Sequence, residues 1–109
     1  MEQIMDKYVL IQTTTDNEAW TAKLIKVLLG NKLSADVQVS VINSHYWWKG
    51  EIHNKQEQLL CIKTRACLME KVESAIKECS EYDVPQIIAT PIVAGSSDYL
   101  GWITENTIS

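Results

Sequence analysis

Two histidines, three cysteines and a set of interleaved aromatic and charged side chains are what this 109-residue chain offers for chemistry. His45 and His53 flank an aromatic, glycine-bearing stretch at residues 46–52. If that stretch is a hairpin tip, the two imidazoles can meet across paired strands, or meet their mates from other copies, and capture a divalent cation. The bland alternative is a pair of solvated loop histidines. Cys61, Cys67 and Cys79 are odd in number and include no Cys-x-x-Cys pair. Free thiols in a reducing compartment therefore fit better than a disulfide framework. Cys61 sits in an apolar run and suits core packing. Cys67 and Cys79 are expected on one helix, where their spacing is roughly 18 Å, too far to share an ion.

Lys63, Glu57, Tyr82, Trp48, Tyr46 and Trp102 form a second set. Tyr46 and Trp48 are two apart on an extended segment and so share a face. Lys63 is expected to end a strand just before a helix that starts at Thr64. An ammonium beside free helix N–H groups favours an anion. Aromatic walls with one lysine and one carboxylate suit a small-ligand cleft, and suit a hydrogen-bonded, salt-bridged contact between copies as well. Catalytic signatures are missing: there is no Gly-x-Ser-x-Gly, P-loop or Rossmann glycine pattern. The early loop Thr13-Thr14-Thr15-Asp16 has no thiol for a copper chaperone, and the one arginine, Arg65, lies too late for an acylphosphatase-like phosphate loop. A non-enzymatic protein is expected.

The elements that must position these groups follow from periodicity. Residues 7–13 form a short buried strand. Thr15 and Glu18 match a capping box, and Thr21, Leu24, Ile25 and Leu28 mark one helical face that Gly30 should end. Ala35, Val37, Val39 and Val41 alternate with Asp36, Gln38 and Ser40, the signature of a half-buried strand. Residues 58–63 form the next strand. Thr64 caps a second helix with Leu68, Val72, Ala75, Ile76 and Cys79 inward. Residues 84–91 form a fourth strand with prolines near its ends. Residues 95–98 turn into a short last helix carrying Tyr99, Leu100, Trp102 and Ile103. Two strand–helix–strand units of this kind give an α+β sandwich, a ferredoxin-like βαββαβ arrangement with a long hairpin between the second and third strands and helices on one sheet face. Residues 1–109 form a single domain, with residues 1–6 a flexible N-terminus. A long uncovered strand edge calls for self-association, so a closed homo-oligomer is expected.

Composition narrows the partners. The net charge of −4 argues against nucleic acid, and no apolar run is long enough to span a membrane. The first residues lack a long apolar stretch, so no signal peptide is visible and a cytoplasmic location is expected.

In order and spacing, several runs resemble the CutA divalent-ion tolerance family. They are Thr13-Thr14, Leu33-Ser34-Ala35-Asp36-Val37-Gln38, Ser44 with Tyr46, Trp48 and Gly50, Glu57, Ile62-Lys63-Thr64, Tyr82-Asp83-Val84-Pro85, Tyr99-Leu100 and Trp102-Ile103. The resemblance covers residues 8–108. It implies a ferredoxin-like protomer in a PII-like homotrimer with hairpins paired between subunits, and a role in the response to metal ions, with copper or another divalent cation as ligand. It also implies that the Lys63, Glu57, Tyr82, Trp48, Tyr46 and Trp102 positions line a polar cleft between subunits. Asp36 stands where many relatives have a cysteine, and Ser80 where many have a histidine, so a soft-metal site there loses its ligands. With His45 and His53, Asp36 becomes a candidate hard ligand. The alternative is a PII-like trimer that binds a small signalling molecule in that cleft. PII proteins carry a long flexible loop between the second and third strands, whereas residues 44–57 here are compact and aromatic.

Overall fold

Val9 and Ile11 point to one side of their strand and Leu10 and Gln12 to the other, and the same alternation along a partner strand brings Ile62 opposite Ile11. That pairing seeds a four-stranded antiparallel sheet. In the computed structural model, which describes residues 2–3 and 7–108, the chain runs β1 (Glu2–Gln3), β2 (Tyr8–Thr15), α1 (Glu18–Gly30), β3 (Asp36–Trp48) and β4 (Glu51–Arg65). A 3-10 turn (Ala66–Leu68) follows, then α2 (Met69–Cys79), β5 (Ile88–Pro91), β6 (Ala94–Gly95) and α3 (Ser97–Glu105). The main sheet has the order β3-β4-β2-β5 with every neighbouring pair antiparallel. Of the segment expected to be flexible, Glu2 and Gln3 pair with Gly95 and Ala94; its other residues lie outside those described.

The helices α1 and α2 lie on one face. Leu24 and Leu28 from α1 and Val72, Ala75 and Ile76 from α2 bury against Val9, Ile11, Leu60 and Ile62. Each such aliphatic side chain contributes about 1.5–3 kcal/mol by leaving water. Helices on one face only is an expectation the structure corrects. Tyr8 points away from Val9, and α3 covers it: Tyr8, Leu100 and Ile103 form a second buried cluster, with Ala35 and Ile92 against it. Tyr8 and Thr104 share a hydroxyl hydrogen bond of 2.5 Å. Arg65 donates from Nε to Thr107 at 2.9 Å and from its terminal nitrogen to the Ile108 carbonyl, tying the chain after α3 to the end of β4.

Local chemistry moves several boundaries. Asn17, not Thr15, caps α1, accepting from the Trp20 amide at 3.0 Å. Thr15 closes β2 and hydrogen-bonds to Thr21 through their hydroxyls. The left-handed residue after α1 is Lys32 at φ 52°, two past Gly30. Thr64 caps no helix; it is a buried strand residue whose hydroxyl donates to the Leu33 carbonyl at 2.6 Å. The fourth strand is limited to Ile88–Pro91. The hairpin is longer than the valine alternation alone indicates. β3 and β4 stay paired up to Trp48 and Glu51, and the two residues between them turn the chain with positive φ, 52° at Lys49 and 80° at Gly50. Positive φ at both central positions is the geometry of a type I′ turn, whose twist matches the strands. This arm stretches the molecule to 45 × 26 × 22 Å.

Candidate functional site

Register decides which of the candidate groups meet. On the sheet face opposite α1 and α2, the facing pairs are Asp36 with Lys63, Gln38 with Cys61, Ile42 with Glu57, Ser44 with Lys55, Tyr46 with His53 and Trp48 with Glu51. His45 pairs with Asn54, one position along, and neighbouring positions alternate faces. The two histidines therefore sit on opposite faces of the hairpin and do not meet within one chain. His53 stacks on Tyr46 with ring centroids 5.9 Å apart and lies 3.9 Å from Glu51. Asp36 is nine positions before His45 on β3, roughly 30 Å along the strand. Among the described residues no group of three or more His, Cys, Asp or Glu side chains is placed to hold a metal ion.

The six cleft candidates divide into two groups. Glu57 and Lys63 share a strand and a face but are six residues apart, roughly 20 Å. The upper group lies along the hairpin arm. The Tyr82 hydroxyl donates to Glu57 Oε2 at 2.5 Å, and Glu57 is only 7% exposed. Tyr82 is held by an edge-on contact to Trp20 at 4.9 Å. The Lys55 ammonium lies 4.2 Å from the Tyr82 ring centroid and 6.0 Å from that of Tyr46, and pairs with Asp16 at 3.0 Å. Tyr46, Trp48, Glu57 and Tyr82 thus line one groove of about 750 Å³, with Lys55 and Thr14, between the arm and residues 81–86. Burial works against the charged Lys55 ammonium, yet Tyr82 and Asp16 beside it outweigh that and hold its pKa above the ordinary lysine value. Burial, reinforced by the hydrogen bond to Glu57, pushes the Tyr82 phenol up as well.

The lower group lies beside α3. Lys63 Nζ donates to Gln38 Oε1 at 2.9 Å and to the Tyr99 hydroxyl at 3.3 Å, and Tyr99 in turn donates to Asp36 Oδ2 at 3.2 Å. Trp102 stacks on Tyr99 with centroids 5.6 Å apart. Lys63 therefore does not stand at a helix start. It lies inside β4, and the helix N-terminus expected to share an anion with it is absent, because β4 runs on to Arg65 and α2 begins at Met69. Asp36 is engaged by Tyr99 and lies 3.9 Å from Lys63.

The cysteines also shift. Cys61 is half-buried on the open face beside Gln12, whose amide approaches its sulfur at 3.7 Å. Cys67 is exposed in the 3-10 turn rather than on α2, and Cys79 ends α2. Lys55, Asp16 and Tyr99 were missed at the sequence level. Lys55 was legible: it is two residues before Glu57 on one strand, so the same alternation that pairs Tyr46 with Trp48 puts it on the Glu57 face.

The model of the family described as CutA1 divalent ion tolerance protein matches residues 9–106. The chain belongs to the CutA1 divalent ion tolerance family. It is 38% identical over 104 residues to the divalent-cation tolerance protein CutA of Thermus thermophilus, covering 94% of this chain and 99% of that one. It is 37% identical over 100 residues to the chloroplastic protein CutA 1 of Oryza sativa subsp. japonica, covering 91% of this chain and 56% of the rice protein. This chain thus spans about half the length of the plant relatives it matches. The crystal structure of CutA1 from the psychrotrophic bacterium Shewanella sp. SIB1 superposes with a TM-score of 0.92 at 31% identity, covering 97% of this chain and all of that one. Proteins of the CutA1 family are named for cation tolerance rather than for a reaction.

Proposed function

We propose that this chain is a non-enzymatic divalent-cation tolerance protein that works as a homotrimer, with a ligand cleft formed between copies on the open sheet face. The observation that carries this reading is the division of the cleft residues. One end of the face presents Glu57, Tyr82, Tyr46 and Trp48, and the other presents Lys63 with Tyr99 and Trp102. The two ends carry different groups and lie roughly 20 Å apart on one chain, so head-to-tail contact sets one copy's Lys63 end against the next copy's Glu57 end, and such contacts close into a ring when three successive rotations make a full turn. The outer edge of β3 supports the same assembly, because it pairs with no strand among the described residues and runs for 13 residues. The strand order β3-β4-β2-β5, built from two strand–helix–strand units in one antiparallel sheet, supports the ferredoxin-like reading of the protomer.

Copper or another divalent cation is then held by ligands from more than one copy, His45 and His53 being the candidates, since one chain does not bring them together. Three free thiols support a reducing, cytoplasmic setting, and no helix among the described residues is long and apolar enough to cross a membrane. Sedimentation equilibrium should return three times the 12.4 kDa chain mass. A monomer at micromolar concentration overturns the assembly. Cu(II) titration of the wild type beside a His45→Ala/His53→Ala double variant should show loss of binding in the variant; unchanged binding removes the histidine site.

The groove of about 750 Å³ favours a second reading, a PII-like trimer that binds a small signalling molecule in the cleft. Against it stands the two-residue turn at Lys49–Gly50, which leaves the hairpin without a long loop for engaging partners.

A further inference from the structure

Between the end of α2 and the start of β5, residues 81–86 are tied to the rest of the chain by the hydrogen bond of one side chain. Among the described residues their backbone makes no hydrogen bond beyond the two between Tyr82 and the neighbouring Ser80 hydroxyl. Glu81, Asp83, Val84 and Gln86 are exposed, and Glu81 and Asp83 form no ion pair among the described residues. Tyr82 reaches inward instead. Its ring stands edge-on to Trp20 at 4.9 Å, its face meets the Lys55 ammonium at 4.2 Å, and its hydroxyl donates to Glu57 Oε2 at 2.5 Å. Trp20 is 3% exposed, and its indole Nε1 is buried without a hydrogen-bond partner among the described residues.

The ends of this segment are set. The Ser80 amide donates to the Ile76 carbonyl at 2.9 Å, where the chain leaves α2 and turns extended, and Ile87 packs against the core. Pro85 stiffens the middle: its ring fixes its own φ and keeps Val84 extended. A stiff segment with set ends, few buried contacts and one tie opens at a small part of the cost of global unfolding. We propose that residues 81–86 are a hinged strap that swings off the hairpin arm while the sheet stays folded, with the Tyr82–Glu57 hydrogen bond as its latch. Opening brings water to the Trp20 indole and bares the Glu57 carboxylate. The strap does not depend on assembly; where copies assemble as proposed above, it sets when Glu57 is open to the next copy's Lys63.

Hydrogen exchange of the Trp20 indole N–H, followed by NMR on the 15N-labelled intact protein beside the amides of β2 and β4, tests this. The indole should exchange faster than those amides and with little dependence on low urea, because strap opening exposes little surface. Tyr82→Phe keeps the ring and removes the latch. It should speed indole exchange by about tenfold or more, the scale of one hydrogen bond to a charged group. Ile103→Val is the control: it loosens the buried cluster under α3 and so should speed the β2 and β4 amides while leaving the indole rate unchanged. Indole exchange that climbs with urea in step with the amides, or that follows Ile103→Val, runs through global unfolding and overturns the strap. An indole rate unmoved by Tyr82→Phe removes the latch and overturns the proposal as well.

Discussion

Tyr82 carries more of the site than its place in a loop suggests. Its ring packs edge-on to Trp20, its face meets Lys55, and its hydroxyl satisfies one oxygen of the buried Glu57. Tyr82→Phe keeps the ring and removes only that donor. Leaving a buried carboxylate short of a partner should cost about 1–3 kcal/mol, read as a lowered urea midpoint with an unchanged slope. The same residues set an alkaline limit. Both Lys55 and Tyr82 have pKa values raised on folding, so the native state holds these protons more tightly than the unfolded chain does. The associated stability is complete below the unfolded values near pH 10 and is lost as pH rises through them toward the native ones. The melting temperature of the wild type should therefore fall more steeply between about pH 10 and 12 than that of a Lys55→Met/Tyr82→Phe variant; parallel curves would exclude these two groups. Glu57 and Tyr82 were legible as cleft candidates from their types. Their direct contact was not, because 25 residues separate them and only the path of the chain after α2 brings them together.

At the scale of the element, helix faces were read correctly and helix starts were not. Leu24 and Leu28 in α1, and Val72, Ala75 and Ile76 in α2, all bury as their spacing requires. The cap of α1 went to Asn17 because β2 keeps pairing through Thr15 with Gln58 on β4, and a residue held in a ladder cannot also serve as the cap. Asn17→Ala should thus cost about 1 kcal/mol in thermal unfolding, whereas Thr15→Ala should act through its buried hydroxyl contact with Thr21 instead. A Thr15 variant with an unfolded first helix and an innocuous Asn17 variant would reverse this assignment. The valine alternation found the correct face of β3 but not its surroundings. Val37 packs on the core, while Val39 is 41% and Val41 64% exposed: β3 is the outer strand of the sheet, so Val39 keeps an open side even opposite the fully buried Leu60.

At the scale of the whole molecule, the main sheet carries an arm too long for its own helices to cover. Trp47 and Ile52 face each other near the tip, 71% and 68% exposed, and apolar side chains in that setting mark a contact surface. Trp48 lies at the same end, on the face that lines the groove. Aromatic anchors dominate interfaces, so Trp48→Ala should shift sedimentation toward smaller species while far-ultraviolet circular dichroism keeps the protomer's signal. A variant that stays as assembled as the wild type removes Trp48 as an anchor. By itself, the sequence determined the strand and helix faces, a hairpin turning within residues 46–52, and the family, because these rest on local periodicity, backbone preference and the order of short runs. Only the tertiary structure decided that His45 and His53 face apart, that Lys63 and Glu57 belong to different ends of one face, and that Tyr99 joins the Lys63 end. The physical reason is pleat and register: a shift of one residue turns a side chain to the other face, and a few residues along a strand carry it 20 Å away.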